Sequence, residues 1–269
     1  MLSLFLILAI STTAFTYDIN LAQHYVNLAQ ATYKVSNVNK WNCETCEPTF
    51  VPDYIVEHSG VRAIQGYDSR YNVIFTAFRG STNIQNWLDN IQVSKISPYN
   101  DTSISVERGF YKAYLSVQDD LFDNMYFLTR QYNIKTMIIT GHSLGGALST
   151  IFAYEIMTST YDMRIRNIIT FGSPRVGNYD FVKSFELYNV PSYRITHYRD
   201  VVPHVPEELL GYLHISNEIW YNEDSSSYKI CDDYKCNEDE TCSNSCSPTH
   251  CTSMSDHMMY LNTPMGTDA

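Results

Sequence analysis

Apolar residues along this chain follow two periods, the short runs or alternation typical of strands and the wider spacing typical of helices. Residues Tyr17–Tyr33 carry apolar side chains at helical spacing, which predicts an amphipathic surface helix. Three strand-like runs follow at Tyr54–Glu57, Val61–Gly66 and Tyr71–Phe78. Because the turn residues Tyr67–Arg70 separate the last two runs, we expect these strands to form a hairpin.

Strand and helix patterns then alternate through the rest of the chain. Helices are predicted over Asn83–Val93, over Val106–Arg130 as one long element, and over Tyr179–Leu187. Strands alternating with helices indicate an α/β fold with a mostly parallel central sheet flanked by helices on both faces. The later predicted strands are Met137–Ile139, Arg166–Phe171, Tyr193–Thr196 and a last strand or hairpin arm within Gly211–Trp220.

The segment Thr136–Ser149 reads as a buried strand, a glycine-dense turn and the start of a helix, with Ser143 at the apex. Gly141 and Gly145 flank this serine as Gly-x-Ser-x-Gly. Such a turn holds the serine in strained backbone geometry, and the glycines avoid collisions with the neighbouring strand and helix. The helix beginning at Leu144 directs its positive end at any anion formed beside the serine. The context favours a nucleophile over a mere tight connection.

A nucleophilic serine needs a histidine base, and the base needs an acid that orients it. On strand–turn–helix scaffolds of this kind the acid follows the serine and the histidine comes last. Asp200 is the best-placed acid because it comes directly after a predicted strand. Chain order alone leaves several bases open and favours His257 over His250 only modestly. The candidates are His204, His214, His250 and His257.

The short helix predicted over Asn83–Val93 has one apolar face. Thr82 and Gln85 match a capping box at its start. On periodicity alone this face packs on the core, as in an ordinary helix. The face consists of Ile84, Trp87, Leu88 and Ile91.

Composition narrows the classes of partner. The 269 residues are 44% hydrophobic, which is ample for one sizeable core or at most two small domains. Lysine and arginine number 18 against 29 acidic residues, a net charge of −11. Without a basic stripe, nucleic-acid binding is not expected, and a polyanionic membrane surface is disfavoured as well. Neutral substrates and interfaces remain open.

The first residues predict secretion. Met1–Ile10 is apolar but too short to span a bilayer, and it is followed by the small residues Ser11–Ala14, as in a secretory signal. We expect residues 1–14 to be removed; the alternative is a buried N-terminal strand. No later run is long enough for an integral membrane segment. The sequon at Asn100 predicts a glycosylated loop.

Cysteines mark two loops. Behind a signal peptide, Cys43-Glu-Thr-Cys46 favours a small structural disulfide over redox or zinc chemistry. Residues 223–252 form an acidic, cysteine-rich segment, interpreted as a solvated loop pinned by disulfides. A metal site with His250 and His257 is the less favoured alternative, because no Cys-x-x-Cys pair is repeated there, and we expect no metal. The cysteines of this segment are Cys231, Cys236, Cys242, Cys246 and Cys251.

The chain resembles the class 3, fungal-type triacylglycerol lipases, in the family's order and over nearly the whole length. The resemblance implies an α/β-hydrolase fold, one domain over residues 15–269, and a secreted monomer without cofactor. Its substrate would be a lipid ester at an oil–water or membrane interface. The matching stretches are Phe78–Thr82, Ile84–Asn90, Gly141–Gly146, Phe171–Asn178, Arg199–His204, Gly211–His214 and Asp256–His257.

The same resemblance assigns roles to individual residues. It implies that Ser143 is the nucleophile, Asp200 the triad acid and His257 the base. Ser81 and Leu144 would form the oxyanion hole. The helix carrying Ile84, Trp87, Leu88 and Ile91 would be a lid over the site, in place of the core helix that periodicity favours.

The resemblance also implies disulfides Cys43–Cys46 and Cys231–Cys242, and it shows departures. Cys236, Cys246 and Cys251 are extra and odd in number, so one thiol is left over. The N- to C-terminal bridge of many members is absent. Glu207 and Glu208 stand where relatives often have proline and apolar residues, which predicts a more polar acyl-binding rim. Phospholipase, galactolipase and feruloyl esterase activities remain alternatives, as do a serine peptidase and a non-catalytic binding protein.

Overall fold

The computed structural model of the protein describes residues 16–267, apart from residue 92, residues 234–237 and residues 247–249. The predicted signal, residues 1–14, and Cys236 therefore lie outside the described residues. Within them, every helix is too short or too polar to cross a membrane.

An eight-stranded sheet forms the centre of the molecule. Its five middle strands run parallel, and an antiparallel strand or hairpin is added at each edge. In spatial order the strands are β1 Phe50–His58, β2 Val61–Asp68, β3 Val73–Phe78, β6 Thr136–His142, β7 Arg164–Phe171, β8 Ser192–His197, β9 Glu218–Tyr221 and β10 Tyr228–Ile230. Two small ladders pair β4 Lys95–Ile96 with β5 Val106–Glu107, and β11 Met259–Tyr260 with β12 Thr263–Pro264.

Helices cover both faces of the sheet, as the alternating pattern predicts. Neighbouring residues of one strand point to opposite faces. Ile74 accordingly packs in one core cluster, which holds the apolar residues of the middle helices, and Phe75 packs in the other, which holds those of the first helix. The helices are α1 Ile19–Lys34, α2 Ile84–Asn90, α3 Arg108–Leu115, α4 Gln118–Tyr132, α5 Leu144–Thr158, α6 Tyr179–Glu186 and α7 Met254–His257.

The long helix predicted over Val106–Arg130 is wrong. Its first two residues form β5, and the remainder is divided between α3 and α4. The start of α3 has a local cause, because the Glu107 carboxylate caps this helix by accepting the Phe110 N–H at 2.6 Å. The apolar spacing runs on across the break because both helices bury their apolar side chains in the same core cluster.

Three smaller predictions from the sequence also differ from the structure. The helix α1 is buried on most of its surface, because the sheet and the C-terminal residues enclose it. The N-cap of α2 is Asn83, which accepts the Asn86 N–H at 2.9 Å, instead of the predicted Thr82–Gln85 box. Of Gly211–Trp220, only the end belongs to a named strand, β9.

The acidic segment is less solvated than its composition predicts. It contributes β10 to the sheet, and Asp233 and Glu238 are buried. Asp233 pairs with Arg194 at 3.0 Å and Glu238 with Arg175 at 2.7 Å. A buried carboxylate requires such a partner, and spacing along the chain does not reveal it.

Candidate active site

Ser143 lies at a strained turn between β6 and α5. Its φ of 59° and ψ of −131° are unusual for a residue with a side chain. A Cβ on Gly145 would lie 2.3 Å from the Phe78 carbonyl oxygen, and one on Gly141 would lie 2.3 Å from the Gly145 carbonyl oxygen. Glycine is therefore required on both sides, as the sequence motif predicts. The buried Ser143 Oγ has no hydrogen-bond partner in the described part of the chain.

His257 and Asp200 form a buried pair. The histidine Nδ1 lies 2.8 Å from Asp200 Oδ2 and 3.0 Å from Oδ1. Because the carboxylate accepts, Nδ1 carries the proton, and Nε2 is left as the acceptor. That Nε2 has no partner among the described residues. The pair thus presents one free basic nitrogen.

The turn after β7 brings the serine close to this pair. The Ser143 N–H donates to the Phe171 carbonyl oxygen at 2.9 Å. At the next residue, Gly172, an added Cβ would lie 2.9 Å from Asp200 Oδ2 and 3.1 Å from His257 Cε1. Its φ of +56° also favours glycine. A residue with no side chain here leaves room for the pair beside the turn that the Ser143 main chain also contacts.

Main-chain hydrogen bonds fix the segments that carry Asp200 and His257 to each other. The Ser253 N–H donates to the Arg199 carbonyl oxygen at 3.0 Å. In return, the Arg199 N–H donates to Asp256 Oδ2 at 3.3 Å. Residues separated by more than fifty positions are thereby held in register, which sequence order alone does not convey.

Asp200 is held by donors that sequence reasoning missed. The Val202 N–H donates to Oδ1 at 2.8 Å, and the Tyr260 hydroxyl donates to Oδ2. Burial, with the Asp200 charge adding to it, raises the pKa of Tyr260 well above its usual range. The tyrosine therefore stays a donor. The sequence signal that could have identified Tyr260 was its position three residues after His257, the predicted base.

The other histidines occupy different environments. His214 is buried, and its Nε2 donates to the Pro203 carbonyl oxygen at 2.7 Å. Burial first, and Arg194 second, lower its pKa well below the usual range, which identifies a neutral core residue. Burial and the Arg175 charge also lower the pKa of His204. His250 is exposed, at the end of the cysteine-rich segment.

Ser81 and Leu144 border a cavity of about 650 Å³ under α2. The Trp87 ring stacks on Phe110 with centroids 6.0 Å apart, and Ile84 is buried. Leu88 and Ile91 are half-buried, whereas the polar residues of α2 are exposed. The predicted apolar face therefore lies against the protein.

The Ser81 hydroxyl is bonded to the start of α2. It donates to the Asn83 carbonyl oxygen at 3.1 Å and accepts the Asn83 N–H at 3.2 Å.

Both disulfides implied by the resemblance are present, Cys43–Cys46 and Cys231–Cys242, and a third joins Cys246 to Cys251. Ligand atoms of Glu218, Cys231 and Cys242 lie close together, but a disulfide already uses both sulfurs. Asn100 is exposed.

The chain matches the family model described as lipase (class 3) over residues 75–210. The lipase of Rhizopus niveus is 32% identical over 249 residues, which cover 88% of this chain and 62% of the relative. The secreted mono- and diacylglycerol lipase 1 of Fusarium solani is 28% identical, over 82% of this chain and 71% of the relative. The chain thus spans about three-fifths of the Rhizopus protein's length.

Solved structures agree. Lipase II from Rhizopus niveus aligns with a TM-score of 0.86 at 27% identity, covering 93% of this chain and 97% of that one. The triacylglyceride lipase of Rhizomucor miehei aligns with a TM-score of 0.86 at 27% identity, covering 95% and 98%. The chain therefore belongs to the class 3 lipase family and has the α/β-hydrolase fold.

Proposed function

We propose that this protein is a secreted carboxylic ester hydrolase that acts on acylglycerols through Ser143, His257 and Asp200. The observation that carries the proposal is the buried His257–Asp200 pair with a free Nε2, whose ring centroid lies 4.5 Å from that of His142, the residue before the strained Ser143. An imidazole oriented through Nδ1 with a free Nε2 is the arrangement that removes a proton from a serine hydroxyl.

In the first half of the reaction, His257 Nε2 takes the Ser143 proton as Oγ bonds to the ester carbonyl carbon. The carbonyl π electrons move to the oxygen, which becomes an oxyanion. When this tetrahedral species collapses, the bond to the alcohol oxygen breaks, and His257 returns the proton to the departing alcohol. Asp200 stabilises the transient imidazolium through Nδ1.

Water completes the cycle by the reverse path. His257 removes its proton as the oxygen attacks the acyl-enzyme carbonyl, and the proton then passes to Ser143 Oγ as the acid departs. The N–H groups of Leu144 and Ser81, with the Ser81 hydroxyl, would hold the oxyanion in both halves. A donor placed in this way contributes roughly 10²- to 10³-fold to kcat. No step calls for a cofactor.

Lid gating is part of the proposal. Ser143 has no solvent-accessible surface, so a substrate requires a displacement before it reaches Oγ. The helix α2 covers the cavity beside Ser81, and its apolar face of Ile84, Trp87 and Leu88 would lie on lipid once lifted. Lifting α2 would also release the Ser81 hydroxyl from Asn83.

Neutral lipid esters are the proposed substrates, and the protein is proposed to act as a single-domain monomer at their interface. Relatives named as secreted mono- and diacylglycerol lipases support this substrate class and a location outside the cell, as do the disulfides. Polar lipids are the second candidate, because Glu207 and Glu208 are exposed at the edge of a further cavity, of about 510 Å³.

Purified protein assayed on matched triacylglycerol, diacylglycerol, phospholipid, galactolipid and feruloyl esters tests both candidates. We expect acylglycerols to be hydrolysed fastest, with a rate that rises above their solubility limit. Ser143→Ala should fall to background on every ester. Equal turnover by the parent and Ser143→Ala would refute the catalytic proposal, and faster phospholipid or galactolipid cleavage would favour the polar-lipid candidate.

A further inference from the structure

Two hydrogen bonds link the Tyr33 hydroxyl to the main chain of His257. The Tyr33 hydroxyl also packs against Gly80, in the loop before Ser81, where an added Cβ would lie 2.2 Å from the hydroxyl oxygen. That hydroxyl lies 2.8 Å from His142 Nδ1. His142 Nε2 in turn lies 2.9 Å from the His257 carbonyl oxygen. Tyr33 and His142 are buried, so water does not compete for these bonds.

The direction of every bond follows from the chemistry of the groups. A carbonyl oxygen only accepts, so His142 Nε2 carries the ring proton. In a neutral ring Nδ1 then accepts, and the Tyr33 hydroxyl donates to it. One tautomer of His142 therefore satisfies both bonds, the one to Tyr33 and the one to the His257 carbonyl oxygen.

His142 is suited to lie beside a base that becomes charged. Its ring centroid is 4.5 Å from that of His257, with the planes tilted by 30°. Burial, and then the neighbouring His257, lower the pKa of His142 well below its usual range. A neutral neighbour does not oppose protonation of His257, whereas a second cation at this distance would.

The atoms around Gly80 are packed too closely to admit a side chain. A Cβ on Gly80 would lie 2.2 Å from the Tyr33 hydroxyl oxygen, 2.6 Å from the His142 carbonyl oxygen and 2.9 Å from Ser143 Cβ. The last turn of α1 is therefore in contact with the loop before Ser81 and with the turn that carries the serine.

We propose that Tyr33 and His142 are positioning residues for the reaction, a proposal that rests on the assigned roles of Ser143 and His257. Asp200 fixes the rotation of the His257 ring through Nδ1, but it does not fix where the main chain of His257 lies. Beside the bonds at Arg199, the bond from His142 to the His257 carbonyl holds the main chain at the base itself, and Tyr33 connects His142 by packing against Gly80 to the loop of Ser81. A displacement of about 1 Å at such a group can cost about 100-fold in rate.

Four variants test the proposal on a soluble short-chain ester. Tyr33→Phe and His142→Phe keep the rings but break the chain, and kcat should fall roughly 10- to 100-fold with little change in KM. His142→Gln has an amide with one acceptor and two donors, and it should recover most of that loss. Tyr114→Phe is the matched control, because Tyr114 is buried and its hydroxyl has no partner in the described chain. Its kcat should equal that of the parent.

Non-additivity is the sharper readout. If Tyr33 and His142 act as one chain, the double variant Tyr33→Phe/His142→Phe should be no slower than the slower single variant. Full multiplication of the two losses would overturn the proposal. An unchanged kcat in folded Tyr33→Phe, or equal losses in His142→Gln and His142→Phe, would overturn it as well.

A measurement without turnover separates this proposal from the catalytic one. ¹⁵N resonances of His142 should report the neutral Nε2–H tautomer from pH 5 to pH 8, and the Nδ1 resonance should shift in Tyr33→Phe. A protonated His142, or an unmoved Nδ1 resonance, would refute the hydrogen-bond chain itself. Equal activity of the parent and Ser143→Ala would instead refute the proposed function.

Discussion

Asp200 accepts from three separate donors, which fixes the plane of its carboxylate as well as its position. His257 and Tyr260 reach Oδ2, and the Val202 N–H reaches Oδ1. Only the first of these contacts belongs to the proposed triad. The tyrosine lies on β11, three residues past the end of α7, so the same short segment supplies the base and a donor to its acid.

We expect Tyr260→Phe to lower kcat roughly tenfold with little effect on KM. The substitution removes one of two donors to Oδ2, so the carboxylate orients the His257 imidazole less well. A hydrogen bond to a charged group contributes about 1.5–3 kcal/mol, and a loss of about 1.4 kcal/mol in the transition state corresponds to tenfold in rate. Steady-state kinetics on a soluble ester measure the change.

A matched control is available at the opposite end of the sheet, where Asp68 pairs with Val73 at the start of β3. The buried Tyr25 hydroxyl donates to Asp68 Oδ2 at 2.8 Å, so Tyr25→Phe removes the same type of bond away from the site. Both variants should lose similar unfolding free energy, but only Tyr260→Phe should lose kcat. Equal kinetic losses would show that Tyr260 acts through overall stability alone.

Among the elements, α2 combines two properties that its own sequence does not distinguish. Its apolar face packs against Phe110, as an ordinary core helix would, yet the helix has only seven residues and covers the cavity beside Ser81. A short helix with few buried contacts can be displaced at low cost. The Trp87 ring stacks on Phe110, and in the proposed gate this contact would help to hold α2 closed.

Trp87→Ala should change the turnover of dissolved and of emulsified substrates in opposite directions. Removal of the ring destabilises the closed position, so turnover of a dissolved short-chain ester should rise severalfold. The apolar face loses its largest residue at the same time, so turnover of emulsified triacylglycerol should fall. Rates measured below and above the solubility limit of one substrate show both effects.

Gln85→Ala serves as the control for this experiment, because Gln85 is exposed on the same helix and bonds only to Asp89, at 2.9 Å, among its described contacts. Neither rate should change by more than about twofold in this variant. Parallel losses on both substrates in Trp87→Ala would contradict a gate and favour a fixed helix.

At the scale of the whole molecule, buried charges fasten the cysteine-rich segment to the sheet. Arg194 on β8 lies between Glu218 and Asp233, at 3.3 Å and 3.0 Å. Burial raises the pKa of Asp233 to about 6, since one guanidinium does not compensate two carboxylates. For Glu238 burial acts in the same direction, but the hydrogen bonds and the charge of Arg175, together with the charge of Arg194, outweigh it and hold its pKa below the usual range.

These shifts predict how stability depends on pH. The pKa of Asp233 is higher in the folded protein than its ordinary 3.8, so its contribution to stability is complete below about pH 4 and is lost as pH rises through about 6. Relative to Asp233→Asn, the parent should lose up to about 3 kcal/mol of unfolding free energy between pH 4 and pH 7. Denaturant titrations of both proteins across this range give the difference.

The neighbouring Asp232 is exposed, so Asp232→Asn changes the same charge without the burial. The difference in unfolding free energy between Asp232→Asn and the parent should vary little with pH. A pH-independent difference for Asp233→Asn would mean that this carboxylate titrates as an ordinary one.

The sequence by itself determined the sheet, most of the helices and the serine turn, because local periodicity and glycine spacing report burial and backbone conformation directly. Gly141 and Gly145 stand where a Cβ would collide with the main chain, so the motif is a steric requirement that one segment carries. Its position after a predicted strand selected Asp200, and the resemblance then selected His257 where chain order had left four histidines open. Periodicity failed at Ser116–Val117, where two helices share one apolar period.

Only the tertiary structure decided which distant groups meet. Tyr33, His142 and Tyr260 form hydrogen bonds near His257 across as many as 115 positions, and Asp233 and Glu238 are buried against arginines of other elements. Periodicity shows on which face of its own helix or strand a residue lies, but it does not show which distant residue that side chain contacts. Hydrogen bonds and ion pairs depend on distances between atoms, which exist only once the sheet has brought its strand ends together.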